Sequence, residues 1–176
     1  MKVLRTYYIF LLSSIVISQE NEAIKYEDLY ERKGLIYASD QDSTFNGTVN
    51  ENWPTGIKKL SYTYKNGKSD SKWSDWFNNG QPKEEVEYSN GIKNGLHKKW
   101  YKNGQQKFER TYKNGIHDGK WTEWYENGQS MVEGNFLDGK PDGTWIYWYP
   151  NGQKREEGNP VSSDTSSLAF LNDGIW

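Results

Sequence analysis

The sequence predicts an all-β protein, an elongated, twisted antiparallel sheet of stacked 24-residue hairpin repeats. Three observations predict it. Trp76, Trp100, Trp124 and Trp148 recur at one fixed spacing, and Glu85, Glu109, Glu133 and Glu157 keep the same spacing. A fixed period of this length marks a repeat architecture. Each period holds two strand-like runs separated by Asn-Gly or Asp-Gly pairs, the strongest short-range hairpin signal. The composition is polar, with a mean hydropathy of -1.04, yet aromatic residues make up 16%, with nine Trp and thirteen Tyr. Disordered chains are poor in aromatic residues, and amphipathic rings suit a thin sheet better than a thick core.

The elements follow in chain order. Lys2 and Arg5 precede an apolar run from Ile9 to Ile17, and polar residues begin at Ser18. Residues 1–18 therefore have the form of a secretory signal peptide, with cleavage expected near Ser18/Gln19. The run is too short to span a bilayer comfortably. The expected location is exported: periplasmic, envelope-associated or secreted. Residues 19–48 form a lead-in and cap. Gly34 to Ala38 and Phe45 to Val49 are expected to add strands at the N-terminal edge, and Tyr26 to Arg32 suits a short helix.

The array proper is expected over 49–159. A weak unit at 49–72 has Gly56, Tyr64 and Asn66-Gly67 in register, and Asn46-Gly47 carries the phase upstream. Units 73–96, 97–120 and 121–144 are complete, and the unit at 145–159 is short. In each, the first turn is Asn79-Gly80, Asn103-Gly104, Asn127-Gly128 or Asn151-Gly152. Gly80, Gly104, Gly128 and Gly152 are thus turn residues, and a two-residue type I′ turn with positive φ at both positions is expected there. The second turn is Asn90-Gly91, Asn114-Gly115 or Asp138-Gly139, followed by bulge candidates Gly95, Gly119 and Gly143. Residues 160–176 read as a linker with a candidate C-terminal strand. There Asn172 to Trp176 echoes Pro141 to Trp145 outside the 24-residue register.

This register places Trp121 opposite Gly134 and Trp145 opposite Gly158, a large ring against a small partner. His97 takes the Trp position in its unit, where its partner is Arg110, and Trp73 meets Val86. Alternation then assigns Trp73, Phe77, Val86, Tyr88, Tyr101, Phe108, Tyr112, Trp121, Tyr125, Val132, Phe136, Trp145, Tyr147 and Tyr149 to a packing face. The opposite face carries Trp76, Trp100, Trp124 and Trp148, with Lys83, Lys107, Met131 and Arg155 facing them and the recurrent Glu residues alongside.

The recurring W-x-x-W-Y-x-N-G-Q…E…Y-x-N-G…D-G pattern resembles the MORN-repeat-variant family of bacterial proteins, over residues 35–158. Many members are labelled YwqK-type antitoxins. The resemblance implies an elongated twisted sheet of stacked hairpins that mediates protein or lipid association.

Several function classes find no support. Cysteine is absent, so thiolate metal sites and disulfides are excluded. His97 occupies a Trp position and His117 falls in a turn, so they do not pair as metal ligands. No cofactor motif is present. The Glu residues recur in every unit, whereas a catalytic carboxylate pair is unique; they read as a cross-strand charge ladder in a non-enzymatic chain. A net charge of -2 gives no case for nucleic acid, although Lys98, Lys99, Lys102, Lys107, Arg110 and Lys113 leave membrane-surface or glycan contact open for the middle unit. Two readings of the Trp ladder stand side by side. Lys83, Lys107 and Arg155 stems shield the rings, or the rings contact a ligand, an envelope glycan or a protein. The expected function is an exported module for protein–protein or envelope association. Its alternatives are glycan binding through the ladder and an antitoxin-like role.

Overall fold

A computed structural model describes residues 24–39 and 41–159. The segment expected to be a signal peptide, residues 1–18, and the expected linker and candidate C-terminal strand at 160–176 lie outside the described residues. Tyr26–Asp28 form one 3-10 turn, and a two-stranded sheet follows, β1 (Leu29–Arg32) and β2 (Leu35–Ala38). The segment that suits a short helix is thus helical only at its start. Tyr30 and Tyr37 face each other as cross-strand partners with stacked rings, a pairing that favours strand.

The remaining strands form one long open sheet. They are β3 (Gly47–Asn52), β4 (Lys58–Lys65), the short β5 (Lys68–Ser69), β6 (Ser71–Trp76), β7 (Pro82–Ser89), β8 (Ile92–Trp100), β9 (Gln106–Lys113), β10 (Ile116–Trp124), β11 (Ser130–Leu137), β12 (Lys140–Trp148) and β13 (Lys154–Gly158). From β6 to β13 each strand pairs antiparallel with its sequence neighbours, and β4 joins β6 to β3, with β5 beside β4. The sheet does not close into a barrel.

Two kinds of turn alternate, and their chemistry is the reverse of the sequence expectation. Asn90, Asn114 and Asp138 have φ of +52°, +51° and +48°, and each is followed by a glycine with positive φ. These second turns are the two-residue loops with both positions left-handed. At the first turns only the glycine is left-handed: Gly80, Gly104, Gly128 and Gly152 have φ of +84°, +88°, +83° and +82°. Here Phe77 N–H donates to the Gln81 carbonyl (2.8 Å), and Gly80 N–H donates to the Phe77 carbonyl (3.0 Å). The loop therefore has three residues, a type I turn ending in a left-handed glycine. Tyr101, Tyr125 and Tyr149 repeat it, and so does Trp53, whose N–H reaches the Ile57 carbonyl at 2.7 Å.

The extra loop residue is absorbed one step away. Trp76 pairs with Pro82 while Asp75 pairs with Glu84, so Lys83 is a bulge residue with no cross-strand partner. The same shift recurs in the next three hairpins. Beyond the bulge the pairing returns to the expected register, with Trp73↔Val86, His97↔Arg110, Trp121↔Gly134 and Trp145↔Gly158.

Two apolar clusters lie along the sheet. Ala38, Phe45, Val49, Leu60 and Tyr64 are buried where β2 and its neighbours cover β3 and β4. Trp121, Val132, Phe136 and Trp145 form the second cluster on one face of β10–β12.

Candidate functional site

The packing face is built from the neighbour relation between repeats. The rings of Trp121 and Trp145 are 2% and 1% exposed. A β-carbon on Gly134 would collide with the indole of Trp145. The ring over Gly134 is thus that of the following unit rather than that of Trp121, its partner across the hairpin. Arg110 obeys the same rule, its guanidinium lying 3.9 Å from the ring centre of Trp121. His117, expected in a turn, instead lies in β10 on this face, against Tyr112 (4.3 Å), Trp121 (4.7 Å) and Phe136 (5.1 Å). Tyr149, expected on this face, is 49% exposed.

Charges are embedded in this face, which alternation alone did not reveal. Arg110 Nη2 donates to Glu123 at 2.7 Å, and both side chains are largely buried. Tyr62 donates its hydroxyl to Asp75 at 2.6 Å, and burial followed by that bond raises the phenol's pKa far above its usual value. Glu84 accepts from His97 Nε2 at 2.8 Å, while Lys93 Nζ lies 3.4 Å from Nδ1. Burial lowers the His97 pKa, and the hydrogen bond from His97 lowers that of Glu84. Both shifts fit a neutral imidazole that donates from Nε2 to a carboxylate and accepts from Lys93 at Nδ1.

The opposite face carries a single row of paired residues: Ser74, Glu85, Lys98, Glu109, Thr122, Glu133, Ile146 and Glu157. Lys98 bonds Glu109 at 2.9 Å, Lys72 bonds Glu85 at 2.8 Å, Lys120 bonds Glu133 at 3.3 Å, and Lys154 bonds Glu157. The bond from Lys98 holds the Glu109 carboxyl below the usual range. This is the cross-strand charge ladder, fixed by the two-residue alternation of a strand.

Trp76, Trp100, Trp124 and Trp148 lie beside that row, each partly buried. Their rings stand one repeat apart, about 10 Å for two strand spacings. Their cross-strand partners are Pro82, Gln106, Ser130 and Lys154 rather than Lys83, Lys107, Met131 and Arg155. The bulge displaces those cations by one position. Lys107 Nζ accordingly lies over Tyr101, 5.5 Å from the ring centre, and the cation over Trp76 is Lys58, at 5.0 Å.

Further ladders tie one repeat to the next. The side-chain amides of Asn79, Asn103 and Asn127 donate to the carbonyls of Lys102, Glu126 and Pro150 at 3.0, 2.9 and 2.7 Å. Their oxygens accept from Gln81, Gln105 and Gln129 N–H within their own turns. Tyr101 and Tyr125 hydroxyls reach the carbonyls of Trp124 and Trp148 (3.0 and 2.8 Å), and Trp53 Nε1 reaches Trp76 (3.2 Å). Asn46 and Asn94 carboxamide oxygens accept from Asn66 and Asn114 N–H at 2.7 and 3.1 Å. Trp53 stands 24 positions before Phe77, a signal of phase that the glycine pattern overshadowed.

The fold and these ladders define the chain as a tandem hairpin-repeat protein. Residues 70–90, 93–114, 118–138 and 141–159 match the family model of the MORN repeat variant, and the chain belongs to that family. Each matched segment holds one hairpin around a three-residue turn. MORN repeats are generally associated with protein and membrane binding. No curated protein matches the sequence.

Proposed function

We propose that the chain is an exported, non-enzymatic binding module that presents its Trp face to a protein partner of the cell envelope. The observation that carries this reading is the row of four partly buried Trp rings on a face that no second layer covers among the described residues. Aromatic rings rimmed by paired charges are the composition of protein-recognition surfaces. The charge ladder and the inter-turn hydrogen bonds hold the surface in place, so little ordering entropy is lost on binding. Export rests on the charge and hydropathy pattern of residues 1–18. The spacing of the rings favours a second reading, in which successive sugars of an envelope glycan stack on the ladder.

The test compares the native chain with the double variant Trp100→Ala/Trp124→Ala, after circular dichroism has established that both are folded. Capture from solubilised envelope should retain a defined protein with the native chain and lose it with the variant. Equal capture by both sinks the proposal. Titration with soluble envelope glycans, followed by Trp fluorescence, decides the second reading. A saturable change absent from the variant supports the glycan, and no change removes it.

A further inference from the structure

The β1–β2 hairpin is tied to the β4–β5 turn. Ile36 N–H donates to the Gly67 carbonyl at 2.8 Å, and Gly67 N–H donates to the Phe45 carbonyl at 2.9 Å. A β-carbon on Gly67 would stand 2.8 Å from the Ile36 carbonyl oxygen, so only glycine permits this approach. Beside the anchor lies a cleft of about 410 Å³. Its lining includes Tyr26, Glu31 of β1, Tyr64 of β4, Lys68 of β5, Trp73 of β6 and Asn90 of the β7–β8 turn. Its size is that of small-molecule sites, which favour the junction of two substructures. Trp73 belongs to the packing face, so the cleft lies on the side of the sheet opposite the ladder that begins at Trp76.

The lining joins aromatic surface to polar groups that the fold does not satisfy. Trp73 is held by Tyr62, stacked at 4.3 Å between ring centres, and by Tyr88 at 5.0 Å. Tyr64 is 4% exposed, yet its hydroxyl has no hydrogen-bond partner among the described residues. Buried polar groups are nearly always bonded, so an exception that lines a cleft points to a ligand. Burial raises the phenol's pKa, which keeps it a neutral donor. Glu31 pairs with Ile36 across the hairpin, and Ile36 packs against the core, so both share the hairpin's inner side. Lys68 lays its stem against Gly91, its β-carbon 3.6 Å from where a Gly91 β-carbon would be. Among the described residues neither Glu31 nor Lys68 forms an ion pair, with each other or with a third group. One cleft thus holds an uncompensated carboxylate, an uncompensated ammonium and an aromatic wall.

We propose that this cleft is a binding site for a small zwitterion with an apolar body, the chemistry of a free aromatic amino acid. Its ammonium faces Glu31, its carboxylate faces Lys68 and the Asn90 amide, and its ring lies against Trp73 and Tyr64. A ligand with both charges answers both unpaired groups, whereas a ligand with one charge leaves the other uncompensated. The site is independent of the protein contact assigned to the Trp ladder.

The test is isothermal titration calorimetry of the whole chain with four probes: L-phenylalanine, phenethylamine, 3-phenylpropionate and N-acetylglucosamine. L-phenylalanine should bind one to one, and each single-charge analogue should bind about fivefold or more weakly. Glu31 and Lys68 are exposed, so Glu31→Gln and Lys68→Met should fold as the native chain does, checked by circular dichroism. Glu31→Gln should weaken L-phenylalanine by about fivefold and leave 3-phenylpropionate unchanged. Lys68→Met should weaken L-phenylalanine equally and leave phenethylamine unchanged. Trp100→Ala/Trp124→Ala should bind L-phenylalanine as the native chain does, which separates this site from the ladder. Absence of saturable L-phenylalanine binding overturns the proposal. So does equal binding of a single-charge analogue, tighter binding of N-acetylglucosamine, or an affinity that both charge variants leave unchanged.

Discussion

The N-terminal end of the sheet buries its side chains under a second layer, whereas β10–β12 bury theirs against neighbouring strands of the same sheet. At the first, Ala38 and Phe45 close over Val49, Leu60 and Tyr64, with Ile36 and Leu29 packed beside them. At the second, no other layer lies over Trp121 and Trp145 among the described residues, yet both are nearly inaccessible. A twisted sheet with large rings on one face supplies its own cover when each ring lies down along the row. That solution requires space at the neighbouring position, and Gly134 provides it. The two-layer end tolerates aliphatic residues because depth comes from the second layer. The difference teaches that these repeats do not share one core: each borrows its cover from the next.

The largest expected effect tests this borrowing. Trp145→Ala should cost about 3–5 kcal/mol, measured by urea denaturation. Hydrogen exchange should place the loss on β10–β13 and leave β3 and β4 protected, as in nearest-neighbour arrays. Leu60→Ala, at about 2–5 kcal/mol, should give the reverse pattern. Equal loss of protection at both ends in either variant would break the distinction.

Gly134→Val should cost about 1–3 kcal/mol, because the added methyl groups displace the Trp145 ring from a close-packed site. Near-ultraviolet circular dichroism should lose intensity from the immobilised indole in proportion. A variant as stable as the native chain would mean that the ring has another resting place.

The middle of the sheet, between the two clusters, should respond to acid. The His97 pKa lies below its ordinary value, so the fold favours the neutral ring. Its contribution is present above the unfolded pKa of about 6.5 and is lost as pH falls below it towards the folded value. Glu84, also lowered, adds a second loss at still lower pH, as the carboxylate is protonated. Urea midpoints should fall below pH 6.5, and His97→Gln, which retains an N–H for Glu84, should flatten the first stage. An unchanged slope in that variant would assign the acid loss elsewhere.

The smallest effect separates turn from array. Asn127→Ala removes the bond to Pro150 as well as its own turn bond and should cost about 1–2 kcal/mol at roughly 1 per hydrogen bond. Asn151 also makes two bonds, both to Gln153 within its own turn among the described residues; one joins two exposed side chains and contributes little, so substitution should cost about 1 kcal/mol or less. Equal costs would show that the inter-repeat bond contributes nothing.

Much of this was legible in the sequence. The 24-residue period, the strand pairing, the Trp121↔Gly134 register and the charge ladder follow from spacing and alternation. The first-turn geometry was not, because Asn-Gly suits either loop. Asn79 is retained there for its side-chain bond to Lys102 rather than for a left-handed backbone. Since the loop is one residue longer and a bulge takes the residue up, the distant register survived while Lys83, Lys107 and Arg155 moved out of place. The buried Arg110–Glu123 and His97–Glu84 pairs were hidden because alternation assigns faces but not depth.

By itself the sequence determined the hairpin order and the two-faced sheet, since both are local properties of a periodic strand. Only the tertiary structure decided which ring covers which residue. That choice depends on contacts between adjacent strands of successive repeats, where the twist of the sheet sets who is neighbour to whom.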